Sequence, residues 1–344
     1  MISVLDDRIS LKCGAGGRAM RALIKDVLID GLAREMRDGE IGLGALDDGA
    51  ALRVGNQWLV ITTDSHVIKP PFFPGGDIGR LAISGTVNDL AMMGATDVLA
   101  LTCAVIVEEG FPRADLIRIQ ASIRDTCREA SAAIVTGDTK VMGKGEIDGI
   151  VLNTTGIGLT WRVVPDSGLR PGDRIIVTGM IGDHGMAVMT VRHGLAIDGD
   201  LRSDVAPINR LIRAALDSVP GGVVAMKDPT RGGLTSTLHE MADKSGVGIV
   251  IDELALPISP EVRAAAELLG IDPMHVANEG KALLGVRPEA VETVLRSLRA
   301  QPQGSQASVI GTCTADRIGS LVLDTGFGRR LVAEPDGELL PRIC

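Results

Sequence analysis

Four places along this chain put carboxylates where a hard cation could collect them. Asp64 follows the apolar run Trp58-Leu59-Val60-Ile61-Thr62-Thr63, and Asp138 follows Ala132-Ala133-Ile134-Val135-Thr136 and Gly137. Asp47-Asp48 precede Gly49-Ala50-Ala51 at an expected strand start, and Asp89 sits beside Asn88 on an expected helix. Acids at strand ends on one sheet edge can converge on magnesium, which prefers carboxylate oxygens and shares itself with substrate phosphates. A single such Asp is more simply a turn former. The four together, beside Gly-rich segments, favour the metal. Three of those segments, Gly14-Ala15-Gly16-Gly17, Gly75-Gly76-Asp77-Ile78-Gly79 and Arg231-Gly232-Gly233, each precede a helix pattern. Backbone N–H groups there are free to meet an anion, or the loops are only tight turns. Lys140 lies two residues past Asp138, Glu279 sits in Ala277-Asn278-Glu279-Gly280, and His66 lies two past Asp64. Lys140 and Glu279 are candidate proton carriers, with a solvated surface and a plain turn as the simpler alternatives, and His66 could face phosphate or be structural. Cys344 is the last residue given, in a stretch holding two prolines and a glycine, and a thiol on such a tail can travel. No Walker A loop, no G-x-G-x-x-G and no nucleophile elbow occurs.

The elements that must position these groups alternate. A helix is expected from about 18 to 34, a strand over 58–63, a helix over 77–93, a strand over 98–107, a helix over 115–133 and a strand over 147–159. The apolar run 132–136 is expected to stop at Gly137-Asp138. Val164 to Asp173 holds two prolines and two glycines and reads as a boundary. The second half restarts with a strand at 174–179 and a helix near Gly232-Gly233-Leu234, then strands at 247–251, 283–286 and 307–311. The expectation is a two-domain α/β or α+β protein: an N-terminal Gly-rich segment and helix over 1–40, domains over 41–162 and 163–334, and a mobile tail over 335–344.

Composition narrows the partners. The 344 residues hold four Phe, two Trp and no Tyr, so platforms for stacking on single-stranded nucleic acid are scarce. The formal net charge of −9 argues against a phosphate backbone as partner. Among 43 glycines and few rings, a bound adenine is expected to rest on aliphatic side chains and backbone. No run of 18 apolar residues suggests a membrane span, and the first residues lack a signal-peptide pattern. Five widely spaced cysteines with no C-x-x-C pair fit a reducing cytoplasm.

Several segments together resemble the HypE family of hydrogenase maturation proteins. They are Thr63-Asp64-Ser65-His66-Val67, Phe73-Pro74-Gly75-Gly76-Asp77-Ile78-Gly79, and Gly85 through Ala95. They continue with Thr136-Gly137-Asp138-Thr139-Lys140-Val141, Asp228-Pro229-Thr230-Arg231-Gly232-Gly233-Leu234, Ala277-Asn278-Glu279-Gly280 and the closing Pro341-Arg342-Ile343-Cys344. The resemblance covers nearly the whole chain, and its interior motifs are shared with aminoimidazole ribonucleotide synthase, selenophosphate synthase and thiamine-monophosphate kinase.

It implies a two-domain aminoimidazole-ribonucleotide-synthase-like fold, a homodimer made through the N-terminal domain, and an ATP- and magnesium-dependent carbamoyl dehydratase. In that family the carbamoyltransferase HypF loads a carbamoyl group onto the terminal cysteine. ATP drives its dehydration to a thiocyanate, and the cyanide goes to iron on a HypC–HypD scaffold for NiFe hydrogenase. Carried onto this sequence, the resemblance implies Cys344 as substrate carrier and Lys140 and Glu279 as the proton-removing groups, with His66 in the Thr63–Val67 motif as a further catalytic candidate. Gly75, Gly76, Asp77, Asn88, Thr136, Gly137, Thr139, Arg231, Gly232 and Gly233 would surround ATP, and Asp47, Asp48, Asp64, Asp89 and Asp138 would hold magnesium. One departure is Cys13, where many relatives have a His before the first Gly-rich loop. A Cys there also marks selenophosphate synthase, so a small-molecule kinase remains the alternative enzyme, and a docking scaffold the alternative without catalysis.

Overall fold

A computed structural model describes residues 8–32 and 35–335. Two α/β bodies follow one another. The first begins with α1 (Gly17–Leu23) and continues through β1 (Ala50–Val54), β2 (Gln57–His66), the short pair β3 (Phe72–Phe73) and β4 (Gly76–Asp77), and α2 (Ile78–Met92). It closes with β5 (Asp97–Glu108), α3 (Arg113–Ala130), β6 (Ile134–Met142) and β7 (Ile150–Thr160). Its main sheet has the order β1-β2-β7-β5-β6. Only β5 and β6 pair in parallel, through the crossover helix α3; α2 likewise returns the chain in the same direction from β2 to β5, but β7 lies between those two strands.

The sheet is packed on one face. Ile78, Leu81 and Ile83 of α2, Ile119 and Ile123 of α3, and Leu101 and Leu152 from the strands form one buried cluster. The other face keeps Leu99 and Val135 exposed at 60% and 63%. On the packed side α2 starts cleanly, since Asp77 accepts from the N–H groups of Gly79 and Arg80 at 2.8 and 3.0 Å.

The second body comprises β8 (Arg174–Val177), α4 (Asp183–His193), α5 (Asn209–Ser218), β9 (Val223–Lys227), α6 (Gly233–Ser245) and β10 (Gly248–Asp252). It goes on through α7 (Pro260–Leu269), β11 (Leu283–Val286), α8 (Val291–Arg299), β12 (Ser308–Thr314), β13 (Leu321–Asp324) and β14 (Arg329–Val332). The order β14-β13-β10-β12-β8-β11-β9 makes a seven-stranded sheet covered on both faces. The alternation of one strand shows this. Ile175 and Val177 pack with Leu234, Leu238 and Met241 of α6, whereas Ile176 packs with Leu211 of α5 and Val294 of α8.

Three expectations need correction. The run at 132–136 does not stop at Gly137, because β6 continues to Met142, with Asp138 opposite Ala104 and Lys140 opposite Ile106. As the outer strand of the sheet it carries no buried alternation, so its polar half gave no strand pattern. Likewise Asp64 does not end β2: it pairs with Thr154 inside a ladder that runs to His66. The expected helix over 18–34 is also shorter, giving way after Leu23 to a wider turn over Ile24–Leu28. Cys344 and the rest of 336–344 lie outside the described residues. Among the described residues no helix is long and apolar enough to cross a membrane.

Candidate active site

A cavity of about 620 Å³ opens where α1, the N-terminal sheet and the loops of the second body meet. Its apolar wall is Met20, Ile24, Leu43, Leu46, Ala50 and Ile61, with no aromatic ring among the lining side chains. Its polar wall carries Asp47, Asp48, Asp64 and Asp89 from the first body and Asp228, Arg231, Glu240 and Glu279 from the second.

The carboxylates share a poorly hydrated space, and each makes its neighbours harder to ionise. Burial, then the charges of Asp166 and Asp48, pushes Asp47 up to about 7. Burial with Asp48 and Asp64 nearby pushes Asp228 up to about 8. Asp89 is held well above the carboxylate range by burial and by Asp228, although Thr62 donates to it at 2.8 Å. Glu279 is likewise held up, by burial and then by Asp228 and Asp204.

One cation answers this charge. Lys227 Nζ is 2.6 Å from Asp48 Oδ1, 3.2 Å from Asp166 Oδ2 and 3.8 Å from Glu240 Oε2. Burial opposes its charge, but these acids outweigh burial and keep it protonated. Lys244 supports the same network by reaching Asp166 at 2.5 Å and the Leu46 carbonyl at 2.6 Å.

Glu279 is fixed through its backbone. Its N–H donates to Asp204 Oδ1 at 3.1 Å, and its carbonyl accepts from Asn88 Nδ2 at 3.2 Å. Its Oε1 is buried with no hydrogen-bond partner, as is Asp48 Oδ2. Such orphaned carboxyl oxygens are costly unless a ligand completes them. Among the described residues no three His, Cys, Asp or Glu side chains stand in ready metal-ligating geometry. What the cavity offers is a set of hard oxygen donors.

The sequence-expected residues divide into three groups. Asp47, Asp48, Asp64, Asp89, Arg231 and Glu279 are brought to the cavity. A second group lies off the cavity lining and is occupied elsewhere. His66 is buried behind Asp64, its Nε2 3.5 Å from Asp64 Oδ2 and 3.3 Å from Thr154 Oγ1, so it faces a carboxylate rather than a phosphate. Burial lowers its pKa. Asn88 spends its side chain on the Ala206 and Glu279 carbonyls and the Ile208 N–H. Asp77 caps α2. A Cβ on Gly75 would sit 2.7 Å from the Ser203 carbonyl, and one on Gly76 2.6 Å from Val205, so these glycines make room for the loop that carries Ser203 and Val205. Gly232 and Gly233 open α6 at positive φ, with Val276 backbone 2.6 Å from a Cβ at Gly233.

The third group is remote. β6 lies three strands from β2, about 14 Å at the usual spacing. Asp64 pairs with Thr154, Thr154 with Cys103, and Cys103 with Gly137, so Asp138 and Lys140 point to the opposite face of the sheet from Asp64. Thr136 shares that face, while Gly137 and Thr139 take the other at the same distance. Within one chain these residues do not meet the cavity.

Lys227, Asp228 and Glu240 were missed by sequence reasoning. The rule that selected Asp64, an acid closing an apolar strand, applies equally to Asp228 after Val223-Val224-Ala225-Met226. Cys13 is buried in the turn Leu11–Gly14 and does not line the cavity.

Residues 46–160 match the N-terminal domain of AIR synthase related proteins, and 170–324 match their C-terminal domain. The carbamoyl dehydratase HypE of Azotobacter vinelandii is 46% identical over 96% of this chain and 96% of its own length. The HypE–HypF complex superposes with a TM-score of 0.84 at 41% identity, over 91% of this chain and 100% of that one. HypE in complex with ATP superposes at 0.80 with 40% identity, over 97% of this chain and 100% of that one.

Proposed function

This chain belongs to the HypE family, and from that premise we propose how its own residues carry out the reaction. The function is that of an ATP-dependent carbamoyl dehydratase in hydrogenase maturation. The aliphatic wall of Met20, Ile24, Leu43 and Ile61 receives the adenine, and Arg231 faces the phosphates across from Asp64. The single observation that carries the reading is the cluster of mutually strained carboxylates, with orphaned oxygens on Asp48 and Glu279, around one nucleotide-sized cavity.

These oxygens fit a hard dication, which would relieve the repulsion among Asp47, Asp48, Asp89 and Asp228. Asp48, Asp64 and Asp89 would hold magnesium, with Asp47 and Asp228 beside them. When bound, it supplies positive charge for the phosphoryl group in transfer.

The carbamoyl group is carried on the Cys344 sulfur. Its oxygen attacks the γ-phosphorus in line, and ADP leaves. The carbon now bears an O-phosphoryl leaving group in place of a poor one. Loss of phosphate then breaks the C–O bond while the nitrogen gives up its protons, leaving a thiocyanate. The balance is one carbamoyl and one ATP to one thiocyanate, ADP and phosphate. Glu279, held in place by Asp204 and Asn88, takes a nitrogen proton once a neighbouring positive charge restores its ionised form.

That charge is assigned to Lys140 of a second copy of the chain. Lys140 and Asp138 face away from their own cavity, on the sheet face that the fold leaves uncovered. A homodimer made through that face brings them to the other copy's site. The carbamoyl donor in this reading is a HypF-type transferase, and the cyanide passes to a HypC–HypD iron scaffold. A cytoplasmic location belongs to the same reading, and the four described cysteines are free buried thiols, as a reducing compartment requires. The kinase and scaffold alternatives have no comparable support.

The test is to carbamoylate the full chain with the transferase, add Mg-ATP, and weigh the intact protein. Loss of one water from the Cys344 adduct, only with ATP, is the expected result. An adduct that keeps its mass while ATP is bound would sink the reading.

A further inference from the structure

The body of the protein ends in a cluster that catalysis leaves unused. Arg21 of α1 reaches Glu334, with Nη2 2.7 Å from Oε2 and 2.6 Å from Oε1. Its Nη1 lies 3.3 Å from Glu240 Oε1. Arg21 and Glu240 both line the cavity, and Glu240 in turn faces Lys227 beside Asp48. A continuous file of alternating charge therefore runs from the acid cluster to the last described residues. All three partners are partly buried, with side-chain exposures of 24%, 18% and 12% for Arg21, Glu240 and Glu334, so water screens them less than a surface pair.

Two independent contacts hold the same stretch. His239 Nε2 lies 2.9 Å from the Val332 carbonyl, which fixes the end of β14 against α6. Pro335 passes directly over Gly17, where a Cβ would sit 2.4 Å from the Pro335 carbonyl. Gly17 has a φ of +71° and lines the cavity. The chain thus leaves the body at the cavity rim, and nine Cα-to-Cα steps lead from Pro335 to Cys344. Their greatest span is about 30 Å, ample to return to the cavity.

We propose that Arg21 is a positioning residue that ties the root of the C-terminal tail to the cavity rim, through Glu334 and Glu240, so that Cys344 is presented to the site. The part concerning presentation rests on the dehydratase reading; the tether itself does not. Releasing Glu334 moves the last fixed residue back to Val332 and lengthens the connection to Cys344 from nine Cα-to-Cα steps to twelve. Length alone lowers the effective concentration only about 1.5-fold. The larger effect is direction, since a released root no longer leaves the body facing the cavity. Removing a partly buried pair that maintains the docked root lowers its population roughly fivefold.

The experiment uses the full-length protein with Arg21→Gln, Glu334→Gln, the double substitution, and Arg21→Lys. Single-turnover dehydration of the Cys344 carbamoyl adduct is followed by intact mass, and Mg-ATP affinity is measured separately. Each Gln variant is expected to slow dehydration about fivefold with unchanged ATP affinity. The double variant should be no slower than either single, and Arg21→Lys should recover most of the rate. In parallel, the anisotropy of a dye attached to Cys344 should fall in both Gln variants. Unchanged anisotropy in both overturns the tether. Loss of ATP affinity in Arg21→Gln but not Glu334→Gln also overturns it, by making Arg21 a nucleotide ligand. If the wild-type adduct never dehydrates, the dehydratase reading fails, while the anisotropy still decides the tether.

Discussion

Glu279 is gripped at its peptide on both sides, and a residue so held loses mobility before it loses chemistry. Asp204 accepts from the N–H groups of Glu279 and Gly280 at 3.1 and 3.3 Å and pairs with Lys281 at 3.2 Å. Asp204→Ala leaves two buried donors unanswered, at a cost of about 1–3 kcal/mol. The expected outcome is a lower dehydration rate at saturating ATP with little change in ATP affinity, read by single-turnover kinetics. Equal loss of both would mean that the cavity itself had collapsed.

The acid cluster also predicts how stability follows pH. Asp47 and Asp228 bind protons more tightly folded, at about 7 and about 8, than the usual Asp value of 3.8. Between these limits the native state holds more protons than the unfolded one. The stabilisation is complete below about 4 and is lost as pH rises through 7 to 8. The ligand-free protein should therefore melt at a lower temperature at pH 8 than at pH 5.5. Magnesium should raise the melting temperature at pH 8 and do little at pH 5.5. A calorimetric scan with equal magnesium effects at both values would contradict the assignment of these acids to a cation.

At the scale of elements, the glycines act through close approach. Gly233 begins α6 at φ +61°, with Val276 backbone on one side, and that contact sets the spacing between α6 and the loop carrying Glu279. Gly233→Ala combines a disfavoured φ with a 2.6 Å clash against backbone, and should cost about 2 kcal/mol or more, measured by denaturant unfolding. This is a different role from cradling phosphate, and the two look the same in sequence because both need a residue without a side chain. The regular elements were easier to read. The 3.6-residue spacing of apolar side chains gave α2 to within a residue at each end, since α2 is buried along nearly its whole length. β6 was cut short in the reading because its polar half packs on nothing in this chain, and hydrophobic alternation exists only where a face is buried.

At the scale of the whole molecule, the proposed homodimer would account for both the uncovered face of the N-terminal sheet and the remoteness of Lys140. A mixing experiment tests it. Lys140→Ala and Asp64→Asn should each be inactive alone. Refolded together at equal amounts, random pairing gives half heterodimers, each with one complete site, so activity should return to about a quarter of wild type. No recovery would place Lys140 in its own chain's site or outside catalysis.

The sequence by itself determined the chemistry of the donors, the order of the main strands and helices of the first half, and the family. Those depend on residue types and on spacings of a few residues, which a linear chain displays. It did not determine which acids meet. Asp64 and Asp138 looked equivalent, each after an apolar run, yet pairing parity and three strand widths put them on opposite faces of one sheet. Lys227 and Glu240 carried no signal and Asp228 stood out only as part of a motif, yet the second body brings Lys227 onto Asp48 from 179 residues away. Only tertiary structure decides such contacts, because burial and electrostatic coupling fall off with distance through space, and the sequence records distance along the chain.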